Sequence, residues 1–309
     1  VACVMSVAAS PVLRGWTYLQ ERFPLGAHGP LVAAFAGGVA CASAALRGAE
    51  GPGWPAVVVA VGVALGFFFQ LRVADEWKDA ETDRLHQPER PVPRGLVTLR
   101  ELTVAALLVA VLQLGLALWL APRLVAVVLA VWAFGALMTV EFGVRDWLRS
   151  RPLATLVTHA PIVPFIDAFA VSADVLGNEA AYPAGVGWLI GVSLFGGSVV
   201  EVGRKIRQPA DERPGVETYS AHWGRGRAVG LFLFVLAASL GCGLMVVHAI
   251  GGVGVLAVAL VAGAAVTAAL TLAAVRDDTP GRGRWIETAS GIWTLALYLT
   301  IGPLALLLS

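Results

Sequence analysis

The chain predicts an all-α, multi-pass membrane protein with about nine transmembrane helices around a central cavity. Three observations carry that expectation. Of 309 residues, 58% are apolar and only 14% charged, and the mean hydropathy is +0.77, values that exclude a soluble globular chain. Mostly apolar windows of roughly 17–25 residues, the length that crosses a bilayer core, recur nine times. Finally, the basic residues are partitioned between the two sides of such an arrangement, as short loops that stay cytoplasmic require.

In order, the spans fall near 25–46, 55–72, 102–121, 123–142, 153–175, 184–203, 228–250, 252–275 and 286–308, each bounded by the nearest charges. No long soluble domain fits between them, and residues 1–309 read as a single membrane domain. With the N-terminus inside, all the Lys and Arg residues except Arg47 and Arg123 lie on the cytoplasmic side. The net charge of +1 therefore conceals a charged inner face and a bland outer one. The opening VACVMSVAAS is apolar but too short to span, and no cleavable signal is expected in it. Cys3, Cys41 and Cys242 lack metal-ligand spacing and read as small packing residues. Trp16, Trp147, Trp188 and Trp285 fall near predicted interfaces and fit an anchoring belt. Nothing points to nucleic acid or to an obligatory protein partner; membrane lipid is the expected surrounding.

Chemistry concentrates after span two, where an unbroken apolar run gives way to RVADEWKDAETDRLHQPERPVPRG. Asp75, Asp79 and Asp83 are four apart, so on a helix each lies about 40° around from the last and all three share a face. Taken alone, such a ladder is a solvated amphipathic helix. A second charged loop, EVGRKIRQPADERPGVETYSAHWG, follows span six, four spans later. That spacing suggests a duplicated unit, spans one to four and five to eight, with its two charged loops facing one cavity. Hard carboxylate oxygens suit magnesium, which prefers a few carboxylates completed by water and substrate phosphates. Arg72, Lys78, Arg90, Arg204 and Lys205 are suited to phosphate oxygens. Carboxylates, a metal and guanidinium groups beside an apolar channel imply a ligand with a diphosphate head and a hydrocarbon tail.

The first loop resembles the aspartate-rich signature of the UbiA superfamily of intramembrane prenyltransferases: an acidic or amide residue, Asp at +4 and +8, then Arg-Pro and Gly. Asp75, Asp79, Asp83, Arg90-Pro91 and Gly95 stand in register. The second loop matches that family's second motif in its distal half, through Asp211, Gly215, Thr218 and Gly224. Its proximal aspartate would fall at Arg207, leaving Glu201, Glu212 or Glu217 to supply the oxygen. The resemblance covers the whole chain, since the family also has nine spans with both motifs on the cytoplasmic side. It implies magnesium-assisted departure of diphosphate from an allylic prenyl diphosphate, with Asp75, Asp79, Asp83, Asp211 and Glu201 as metal and catalytic acids. The prenyl group then passes to an aromatic or other small acceptor; the family's alternative branch folds it into a cyclic terpene.

Between those outcomes the sequence offers several candidates. His159 and Asp167 lie eight apart in span five, where ionisable groups usually face a polar interior. Either they handle a proton of the acceptor or of a cyclised cation, or His159 is a packing residue and Asp167 lies near the outer surface. Pro161 and Pro164 between them should distort the helix. Tyr219 and His222 adjoin the second motif and are candidates for proton transfer. Phe67, Phe68 and Phe69 either wall a carbocation or pack against lipid and core, and Glu201 with Lys205 also reads as a plain ion pair. A transporter is the competing class, disfavoured because its charges belong nearer the bilayer centre.

Overall fold

The computed structural model describes residues 10–212, 217–252 and 254–308; Cys3, Arg213 and Gly215 lie outside them. Among the described residues every regular element is helical. Eight helices are long and apolar enough to cross a membrane: α2 (His28–Leu46), α3 (Trp54–Lys78), α5 (Leu99–Leu120), α7 (Pro152–Gly177), α8 (Val186–Arg204), α10 (Arg225–Ile250), α11 (Gly254–Arg276) and α12 (Gly283–Leu308). A ninth apolar helix, α6 (Leu124–Thr139), is shorter. It stops short of the expected 142 because Glu141, Phe142 and Gly143 all take positive φ, a region that ends a right-handed helix. Among the shorter helices are α1 (Pro11–Arg22), α4 (Ala80–His86) and α9 (Tyr219–Trp223), with a further single turn at Arg145–Arg149.

Helix α1 is set by local chemistry. The Ser10 hydroxyl accepts from Leu13 N at 3.3 Å and Pro11 opens the first turn, both strong start signals. Val12 and Trp16 are exposed, whereas Tyr18 is buried among Val73, Leu96, Val97 and Leu102. Arg14 reaches Glu101, Arg94 reaches Glu21, and Arg22 reaches the buried Glu76 at 2.7 Å in each case. The helix thus lies as a strap across the end of α3 and the loop that follows. Helix α5 begins on a capping box between Thr98 and Glu101, and its outward face carries Leu107, Leu108, Val111 and Leu112, each more than half exposed, as a lipid-facing stripe does.

The core packs α3, α7, α8, α10 and α12 together. Backbones approach closely where π-helical turns at Ala33–Gly37 and Thr300–Leu304 interrupt α2 and α12. A Cβ on Gly302 would lie 2.2 Å from the Gly38 carbonyl oxygen, so only glycine fits there. Buried polar pairs fix the arrangement. At the end far from the charged loops, Arg47 grips the fully buried Asp174 through two hydrogen bonds of 2.6 and 3.0 Å. Helix α7 is broken by a turn at Ala160–Pro161, where the prolines were expected to distort it. Cys41 and Cys242 are free and half-buried, and Trp16, Trp147, Trp188 and Trp285 are all exposed.

Candidate active site

Helix α3 carries the first motif to its end and breaks at Asp79 (φ −98°, ψ 2°) before α4 resumes. Backbone hydrogen bonds from Asp79 N to Asp75 O (2.9 Å) and Asp83 N to Asp79 O (2.8 Å) bridge the break. The four-residue rhythm therefore survives the interruption, but the three acids have different surroundings. The Asp75 side chain is 52% exposed, with the Arg72 guanidinium 3.7 Å away. Asp79, Lys78 and Arg204 lie close enough for their charges to act on Asp75. Arg204 ends α8, so the two charged loops converge on one end of the bundle. Asp83 is buried, and both its oxygens accept from Arg90 Nη1, at 2.7 and 2.6 Å. Arg90, expected to meet diphosphate, is thus folded back onto its own motif. Behind this layer Glu76, buried beside Arg22, anchors the helix to α1.

Lys78 pairs with Glu141, a residue the sequence reading passed over. The Glu141 side chain is largely buried, and its other oxygen lies 3.1 Å from His159 Nε2. His159 Nδ1 lies 3.0 Å from both the Thr155 carbonyl oxygen and the Thr158 hydroxyl. The adjacent left-handed residues Glu141 and Phe142 (φ 52° and 53°) are of the kind that cluster at functional sites. An isolated acid at the end of span four, two residues before a glycine, was the available signal.

From the second loop, Glu201 pairs with Arg204 at 2.6 Å and Lys205 at 2.9 Å. The Lys205 ammonium also lies over the Tyr219 ring, 5.5 Å from its centre. Burial, and then the Glu201 charge, push the Tyr219 phenol well above its usual pKa against the pull of Arg204, so it stays protonated at neutral pH. Glu212 accepts from Thr218 and Ser220, stapling the loop to the start of α9. Asp211 turns away: its Oδ2 accepts from Gly281 N at 2.7 Å, tying the loop to the α11–α12 connection. Asp167 is fully buried, hydrogen-bonded to Ser193 and, at 3.0 Å, to the Tyr298 hydroxyl. It lies enclosed among α7, α8 and α12.

Two cavities flank the convergence. One of about 170 Å³ is lined by Ala74, Gly135 and Thr139 toward the charged end of the bundle and by Phe67, Gln70 and Trp132 farther from it. The other, about 420 Å³ and more polar, is lined by Arg149, Thr155, Lys205, Glu217, Tyr219 and His222, among others. His159 is one turn beyond Thr155, which lines the polar cavity, and Glu141 two residues beyond Thr139, which lines the apolar one. Among the described residues no three His, Cys, Asp or Glu side chains gather closely enough to hold an ion unaided. The half-exposed Asp75 with neighbouring Asp79, ringed by cations, instead fits magnesium that arrives with phosphate oxygens.

The sequence profile of the UbiA prenyltransferase family matches residues 32–291. No curated protein matches. Among solved structures, a UbiA homologue from Aeropyrum pernix K1, without ligand, superposes with a TM-score of 0.66 at 18% identity, covering 91% of this chain and 97% of that one. A digeranylgeranylglyceryl phosphate synthase gives 0.63 at 14% identity, with 94% and 97% covered. A UbiA homologue from Archaeoglobus fulgidus, bound to DMAPP and Mg2+, gives 0.55 at 14% identity, with 92% and 98% covered. At these identities the likeness is one of fold.

Proposed function

Because this chain belongs to the UbiA prenyltransferase family, we propose that it ionises an allylic prenyl diphosphate at the cytoplasmic mouth of the bundle and transfers the prenyl group to a small acceptor, aromatic in the first instance. The observation that carries the reading is the position of Asp75 and Asp79, with cations from both loops near Asp75 and the adjoining Ala74 lining an apolar cavity. The Archaeoglobus fulgidus homologue bound to DMAPP and Mg2+ supports the choice of ligand. The concentration of Arg and Lys at this end supports its cytoplasmic placement.

Asp75 and Asp79 would hold magnesium, and the ion, when bound with diphosphate, neutralises charge on the leaving group. Arg72, Lys78, Arg204 and Lys205 bind the diphosphate oxygens as preorganised donors, the contribution that usually dominates catalysis. Arg90 acts one step back, holding Asp83 and with it the shape of the loop. Glu201 positions Arg204 and Lys205, and Asp211 fixes the second loop against the α11–α12 turn. The allylic C–O bond breaks and its electron pair leaves on the diphosphate. A nucleophilic carbon or oxygen of the acceptor, lodged in the polar cavity, then bonds to the allylic carbon. The acceptor's displaced proton passes to the Glu141–His159 pair. Tyr219, held as a neutral phenol, is a donor to that acceptor. Asp167, sealed against Ser193 and Tyr298, supports the helices instead.

The polar cavity favours transfer over cyclisation, since a cyclase has no acceptor to house. Incubation of the purified protein with an allylic diphosphate and magnesium, with and without phenolic acceptors, tests this. Prenylated acceptor is expected; ring-containing hydrocarbons or alcohols formed without acceptor would overturn the transferase assignment.

A further inference from the structure

We propose that the cavity lined by Ala74 is a length gauge, closed by the Gln70–Trp132 hydrogen bond, that restricts this chain to short allylic diphosphates of the dimethylallyl and geranyl class. The inference rests on the prenyl-diphosphate reading above and adds to it the size of the donor.

The lining changes along the cavity. At the charged end of the bundle, next to Asp75 in the chain, it consists of the small side chains of Ala74 and Thr139 and of Gly135. Ala74 and Thr139 both lie toward the charged ends of α3 and α6, so the two helices run in the same sense along the pocket. Seven residues back along α3 the wall becomes Phe67, and seven back along α6 it becomes Trp132. At 1.5 Å rise per residue that is a depth of about 10 Å. Across the pocket the Trp132 indole N–H donates to Gln70 Oε1 at 2.9 Å. The Gln70 amide in turn donates to the Ala106 carbonyl oxygen of α5 at 3.3 Å. Three helices therefore hold the indole in place. Phe67 is buried, with its ring against Phe169 at 6.1 Å between centres, and has nowhere to retreat.

The volume agrees with the depth. An apolar cavity of about 150 Å³ accommodates benzene, so about 170 Å³ takes a five-carbon branched chain whole and brings a second isoprene unit onto the indole. A third unit must displace Trp132, and the displaced indole N–H and Gln70 carbonyl would lose their mutual hydrogen bond in an apolar setting.

The test uses the full chain in lipid nanodiscs, given dimethylallyl, geranyl, farnesyl and geranylgeranyl diphosphates singly with magnesium and the phenolic acceptors used above, and reads kcat/KM from diphosphate release. The short pair should exceed the long pair by about tenfold or more, the scale on which apolar pockets discriminate chain length. Trp132→Ala should raise the long-to-short ratio by about tenfold. Trp132→Phe keeps the packing but cannot hold Gln70; it should move the ratio the same way by about threefold, and it decides the matter if the alanine variant does not fold. Turnover that favours farnesyl or longer donors in the wild type, or a ratio unmoved in the folded variants, overturns the length gauge and leaves the prenyl-diphosphate reading standing. No release from any donor refutes that reading, and the gauge with it.

Discussion

Asp79 and Asp83 are the same residue type, four positions apart in one motif, yet their surroundings demand opposite phenotypes. Asp79 is partly exposed and has no ion-pair partner among the described residues. Asp79→Asn removes one negative charge at nearly constant volume, so stability should change by no more than about 0.5 kcal/mol, as for surface positions. Its effect should fall on the chemical step. Loss of one preorganised electrostatic group costs about 10²–10³ in kcat, roughly 3–4 kcal/mol of transition-state stabilisation. Asp83 is 4% exposed and clamped by a guanidinium that is itself three-quarters covered. Asp83→Asn leaves Arg90 charged and unmatched, and removing one partner of a buried pair costs about 3–5 kcal/mol. The Asp83 variant should therefore melt well below wild type in the same detergent while retaining a larger share of kcat per folded molecule. Thermal unfolding and single-turnover diphosphate release, measured on matched samples, separate the two. A destabilised Asp79 variant with normal turnover, or an Asp83 variant as stable as wild type, refutes the division of labour.

Further outcomes follow from other parts of the structure. Glu141→Gln should lower the rate of acceptor prenylation by about 10²-fold, the scale of a general base, while magnesium-dependent diphosphate binding, followed by calorimetry, stays within a few-fold. Arg22→Ala strands the buried Glu76 carboxylate and should cost about 3 kcal/mol or more, read as a lowered melting temperature. Burial holds the Tyr18 and Tyr219 phenols above their usual pKa. Unfolding therefore releases protons once pH exceeds about 10, where exposed tyrosine ionises, and stability, constant below that point, falls as pH rises further. Tyr18→Phe should blunt that alkaline loss in melting curves. Gly302→Ala, forced against the Gly38 carbonyl, should destabilise by about 1–3 kcal/mol in the same assay.

Much of this was legible in the chain. Apolar runs punctuated by Arg and Lys locate the spans, because a helix is the only way to satisfy the backbone of such a segment in lipid. The break at Asp79 leaves the four-residue rhythm intact, so Asp75 and Asp79 could be placed from spacing alone. Convergence of the two loops followed from counting spans: both leave even-numbered ones. What spacing does not carry is which side chain turns inward. Arg90 folding back onto Asp83 depends on the turn through Pro91 to Gly95, and Glu212 rather than Asp211 faces Thr218 and Ser220 because Asp211 meets Gly281 from a distant connection. Glu141 joins Lys78 and His159 only through tertiary packing and a left-handed backbone that its residue type does not announce. Asp167 read as a membrane-depth ionisable group, and only Ser193 on α8 and Tyr298 on α12 reveal it as enclosed.

The central claim is that guanidinium groups from two separate loops grip one diphosphate. Calorimetric titration of inorganic diphosphate into wild type, Arg72→Ala and Arg204→Ala, with magnesium and again with EDTA, tests it most directly. Binding should require magnesium and weaken by about tenfold or more in each variant, since a hydrogen bond to a charged group is worth about 1.5–3 kcal/mol. Equal affinity in all three proteins, or affinity indifferent to EDTA, would contradict it.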